Sequence, residues 1–100
     1  MARTNGFNGS ISDVVTFAEP FTDYVTGNPV ISTYLIIPTV GDEGGIVYRD
    51  SGGNLRYHPY AFIGYNPIAA AEVLSSAVVN GTMRATTASP IYWLSATVST

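Results

Sequence analysis

The chain has 100 residues, enough for one domain and no more. It contains no cysteine, which excludes disulfides and thiolate metal sites, and its net charge of −3 with only four cations, all arginine, excludes a basic nucleic-acid-binding stripe. Charged residues make up 11% and hydrophobic ones 46%, so disorder is excluded as well and oligomerisation becomes a natural remedy for a small core.

The N-terminal segment, residues 1–12, is polar and rich in Asn-Gly turns. It is expected to be a flexible arm carrying one anchor, Phe7, ahead of a single β domain over 13–100. It lacks the apolar stretch of a signal peptide, and no run approaches a membrane span, so cytoplasmic synthesis and no membrane partner are expected. Val14 to Phe17 is a short strand candidate. "TGNP" at 26–29 is a turn. "VISTYLIIP" at 30–38 has the β-branched and aromatic content of a strand. Both of its faces are apolar, which predicts a central or doubly covered position.

"GDEGG" at 41–45 reads as a loop. "IVYRDSGGNLRYH" reads as a hairpin about a two-residue Gly52-Gly53 turn, which would set Arg49 opposite Arg56 and Tyr48 opposite Tyr57. Two facing arginines would need a carboxylate, or a different register. Pro59 assigns the following stretch to an edge strand or irregular segment. In "NPIAAAEVLSSA", 66–77, Asn66 as N-cap, Pro67 and three alanines favour a short helix over 67–77, while Val73, Val78 and Val79 keep a strand reading open. Asn80-Gly81 is a turn. The closing "IYWLSATVS" alternates, with Ile91, Trp93 and Ser95 on one face and Tyr92 and Leu94 on the other. Short strands separated by Gly and Pro predict an all-β fold, a small sandwich or barrel.

Catalytic chemistry is sparse. His58 is the only imidazole, and no nucleophile elbow accompanies it; a hydrolase pairing His58 with Glu72 or Asp50 is the least favoured reading. Asp42, Glu43 and Asp50 bracket one hairpin without calcium-loop spacing, and carboxylate pairs drawn from Glu19, Asp23 and Glu72 follow no pattern. No cofactor or metal is expected. The densest feature is "RYHPYAFIGYNP", 56–67. Alternation sends Tyr60 and Phe62 to one side and Ala61, Ile63 and Tyr65 to the other, and neither side is polar. A domain of this size cannot bury both, so part of it should contact another chain.

The run "LIIPTVGDEGGIVYRDSGGNLRY", followed by "GYNPI", "VLSS", "NGTMRATTAS" and "IYWLSA", spans residues 35–96 and resembles the small cysteine-free accessory proteins of tailed-phage heads, the decoration (cement) and spike-base proteins. The stretch "NPIAAAEVLSS" departs from them, since spike-base proteins tend to carry a strand there. The resemblance implies a non-enzymatic, mostly β virion component on the capsid surface, often trimeric, that clamps neighbouring copies of the major capsid protein. Expected contact residues are Phe7, Tyr60, Phe62, Tyr65 and Trp93, with Arg49 and Arg56 as polar clamps. Alternatives are a spike-base or tail-associated structural protein, and a carbohydrate-binding module that would stack sugars on tyrosines and Trp93 with Asp42, Asp50 or Asn54 bonding hydroxyls.

Overall fold

The computed structural model describes residues 4–5 and 11–96. It is all-β: β1 (Thr4–Asn5), β2 (Ile11–Val14), β3 (Tyr34–Ile37), β4 (Gly44–Arg49), β5 (Leu55–Ala61), β6 (Gly64–Asn66), β7 (Glu72–Leu74), β8 (Ser76–Val79), β9 (Thr82–Ala85) and β10 (Tyr92–Ser95). Among the described residues there is no helix, and so none long and apolar enough to cross a membrane. A five-stranded antiparallel sheet runs β1-β2-β10-β3-β6, and a three-stranded one runs β5-β4-β7. Both sheets are open and share one core. Ile11, Leu35, Ile37, Ile91 and Trp93 enter it from the first side, and Ile46, Ala61 and Val73 from the second. The β8–β9 hairpin forms a further layer on the outer face of the small sheet, where it buries Val47.

The hairpin β8–β9 turns through Asn80 (φ 51°) and Gly81 (φ 83°), the two left-handed residues that a primed two-residue turn requires, with Val79 opposite Thr82. The β4–β5 hairpin differs from the expected one. A Gly53 N–H to Asp50 C=O bond and Gly53 at φ 81° make the loop three residues long, Ser51 to Gly53. The register therefore moves by one: Arg49 faces Leu55 and Tyr48 faces Arg56. The arginines thus never oppose each other. Each takes a carboxylate instead, Arg49 with Glu72 at 3.3 Å and Arg56 with Asp50 at 2.9 Å.

The expected helix over 67–77 is not formed. The side chain of Asn66 does not cap a helix. It is buried, accepts the Phe62 N–H at 3.0 Å, and donates to the carbonyls of Phe62, Gly64 and Leu35. Distant partners hold the alanines extended. Ser32 Oγ donates to Ile68 C=O at 2.6 Å and accepts the Ala70 N–H at 2.9 Å, while Ala71 N–H reaches Arg49 C=O and Ala71 C=O accepts from Phe21. β7 then pairs with β4. Alanine's helix preference is worth only about 0.5 kcal/mol per residue over most alternatives, and this set of long-range bonds outweighs it.

The boundary of the arm also shifts. Ile11 and Ser12 belong to β2, and Ile11 is fully buried opposite Ser95. Thr4–Asn5 adds an edge strand to β2. The remaining residues of the expected arm, Phe7 included, lie outside the described residues. β3 has neighbours on both sides, in keeping with the apolar character of both its faces.

Trp93 is 2% exposed and stacks on Phe21 with ring centroids 4.9 Å apart and planes 12° from parallel. Truncating it opens a core cavity. Trp93→Ala is expected to cost about 3–5 kcal/mol, read as a fall in the urea midpoint. The fluorescence of this single tryptophan should resist iodide quenching until the chain unfolds.

Candidate interaction surface

The chain passes from the small sheet to the large one at the corner between β5 and β6. Here β5 carries a bulge. Ile46 pairs with His58 and Gly44 with Ala61, so two residues, Pro59 and Tyr60, oppose Gly45 alone. Proline is tolerated there because a bulged edge strand needs no N–H from it. The extra residue resets the alternation, so that Ala61 enters the core and Tyr60 is left outside. Phe62, Ile63 and Tyr65 follow it outward, with exposures of 62%, 42% and 65% beside 48% for Tyr60.

These rings sit on a fixed corner. Asn66 closes it from below, as described above, and Gly64 turns it at φ 108°. Glu43 ties it from the side, accepting the Tyr60 hydroxyl at 3.0 Å on one oxygen and the Ile63 N–H at 2.7 Å on the other. The hydrogen bond to Glu43, and then the carboxylate's charge, raise the Tyr60 pKa above its usual 10.0. Tyr60 packs edge-on against Phe62 at 4.9 Å, and Tyr65 likewise against Tyr34 at 5.4 Å.

Tyr65 leads on to a surface that sequence reasoning missed. Register places Val14, Tyr92, Ile36 and Tyr65 in one row across the outer face of the large sheet, with Ser12, Leu94 and Tyr34 in the next. No charged residue stands in either row, every member is at least partly exposed, and Tyr92 is 41% exposed. The signal was present in "YLII" and "YWLS", where both alternating faces are apolar, although a single core can cover only one of them.

The remaining expected residues are placed as follows. Trp93, expected at an interface, is in the core and offers nothing to a partner or a sugar. Arg49 and Arg56 lie at the other end of β5 from the aromatic corner, beside the β4–β5 turn. Asp50 accepts the Gly52 and Asn54 N–H groups as well as Arg56 Nε, and Arg56 first, then Asn54, holds its carboxyl below the usual 3.8. His58 is half-buried on β5. Asp23, buried, orders the 23–28 turn by accepting the Val25 N–H. Among the described residues, no three His, Asp or Glu side chains cluster as metal ligands.

Comparison with known proteins finds no matching family model, curated protein or solved structure.

Because the Glu43 bond favours the neutral phenol, the Tyr60 pKa is higher folded than unfolded. The stabilisation is complete below pH 10.0 and is lost as pH rises through the folded value. Glu43→Gln should bring the Tyr60 titration, followed by ring NMR shifts, back toward 10.0. An unchanged titration would show that Glu43 does not hold the ring.

Proposed function

We propose that this protein is a non-enzymatic binding component of a tailed-phage head, a decoration protein that associates with copies of itself and clamps neighbouring capsid subunits from the outside. The observation that carries this reading is the aromatic surface made by the β5–β6 corner and the outer face of the large sheet. Tyr60, Phe62 and Tyr65 project from a corner pinned by Asn66 and Glu43, beside two uncharged rows that no described residue covers. Interface energy concentrates in tyrosine and other large side chains whose order is already fixed before association, because little entropy is then lost on binding. A surface without charge also lets chains of net charge −3 approach without local repulsion.

In this reading the partner is the major capsid protein, the site of action is the capsid surface, and a trimer is the favoured assembly. Joined copies turn each later contact into an intramolecular one, so several modest interfaces act as one strong clamp. A spike-base or tail-associated role would use the same surface.

A carbohydrate-binding reading survives in altered form. Trp93 is withdrawn from it, and the flat row containing Tyr65 and Tyr92 would be the stacking platform instead. Hits on a glycan array would favour this reading over the capsid one.

The Tyr60→Ala, Phe62→Ala double variant is expected to weaken self-association by about thirtyfold or more, the loss of one strong contact of roughly 2 kcal/mol, while far-UV circular dichroism stays native. Native mass by light scattering reads the change. An unchanged mass overturns the assignment of these rings, and a wild-type monomer of 10.6 kDa at all concentrations overturns the oligomer. Recovery of the chain's peptides from purified virions tests the location.

A further inference from the structure

Away from the aromatic surface, the β8–β9 hairpin does not lie flat on the small sheet. Its inward side carries Ala77, Val79, Thr82 and Arg84, and beneath them on the sheet stand Arg49, Leu55 and Tyr57. Between the two turns is a hollow of about 460 Å³ lined by Tyr57, Arg56, Asn80, Thr82 and Arg84, continuous through Leu55, Arg56 and Asn80 with a second of about 560 Å³ that reaches Arg49 and Asn54. Three of the chain's four arginines therefore meet in one groove of an otherwise acidic protein.

Their states differ. Arg49 is held by Glu72, and Arg56 is held through Nε by Asp50. Arg84 has no carboxylate partner among the described residues. Its guanidinium carbon lies 4.8 Å over the centroid of the Tyr57 ring, a cation–π contact that leaves its N–H donors without a carboxylate. Asn54 and Asn80 add neutral amides.

We propose that this groove is a carboxylate-binding site, with Arg84 as the principal anchor and Arg56 as the second. A planar guanidinium matches a carboxylate through paired N–H donors. Asp50 and Glu72 already balance two of the three cations, so the remaining charge suits a single carboxylate rather than a polyanion such as nucleic acid. The carboxylate can come from an acidic side chain of a polypeptide or from a small organic acid. The site does not depend on the virion reading, and its failure would leave the solution mass untouched.

The test titrates the full chain with three probes, followed by backbone and arginine Nε–H NMR shifts. The probes are an acetylated Gly-Glu-Gly-Glu-Gly peptide amide, its glutamine counterpart, and glutarate. The glutamate peptide or glutarate should shift the signals of Arg84, Asn80 and Asn54, and the glutamine peptide should not. Tighter binding of the peptide than of glutarate identifies a polypeptide source, and equal or weaker binding identifies a small acid. Arg84→Gln should weaken binding by about tenfold, as expected for one lost charged hydrogen bond. Met83→Gln, on the outward side of the same strand, should leave binding unchanged. The proposal is overturned if neither carboxylate probe binds at millimolar concentration, if the glutamine peptide binds equally, if Met83→Gln weakens binding as much as Arg84→Gln, or if Arg84→Gln has no effect.

Discussion

Two sheets that share a single core can hide only one face each, and this constraint governs the rest of the molecule. The small sheet solves it by adding a layer: the β8–β9 hairpin folds over its outer face and buries Val47 completely. The large sheet has no such cover among the described residues, yet apart from Ser12 its outer rows are made of Val14, Tyr92, Ile36, Tyr65, Leu94 and Tyr34. Monomeric domains seldom leave a contiguous apolar surface bare. Among the described residues one sheet is thus covered on its outer face and the other is not.

The bulge at Pro59 and Tyr60 works within the same constraint. Without it, His58 on the Ile46 side would be followed two residues later by Tyr60 on that side, and a phenol would have to fit where Ala61 now sits with no exposure. One unpaired residue exchanges them. Opposite the bulge the partner strand is glycine because Tyr57 and Thr87 fill the space there: a Cβ on Gly45 would stand 2.5 Å from the Tyr57 hydroxyl, and one on Gly44 would collide with Thr87 Oγ1. Thr87 in turn accepts the Gly45 N–H, which locks the chain after β9 against this segment. The exposed rings are therefore a consequence of how the strand is built, and the corner stays ordered because buried Asn66 supplies the backbone's missing partners.

Much of this was legible in the residues. The alternation in "IYWLS" placed Trp93 and Ser95 on one face, the Asn80-Gly81 dipeptide fixed its turn, Pro59 marked an edge, and the β class followed from spacing. Those signals are local. The failures were decided by partners far along the chain. Three alanines after Asn66-Pro67 favour a helix until Ser32, some 36 residues away, binds Ile68 and Ala70. The Gly52-Gly53 turn admitted two loop lengths, and the choice rested on Asp50 binding the N–H groups of Gly52 and Asn54. Trp93 looked like an interface residue by type, but its own alternation put it inside. The outer face of the large sheet was missed because an apolar residue on a strand does not reveal which face the core will take.

The hairpin that completes the small sheet also accounts for the placement of charge. A layer lying flush on Tyr57 would bury the Arg84 guanidinium without a counter-ion, at a cost of several kcal/mol. Stacking Arg84 over the ring at the open side of the groove keeps it solvated and still lets Val79 pack inward. The cation is thus displayed because the layer needs the aliphatic contact of β8 but cannot accept the charge of β9. Strand β5 then joins two unlike surfaces, the arginine groove beside Leu55 and Tyr57 and the apolar corner beyond Tyr60. One short bulged strand thus sets the separation and orientation of both surfaces.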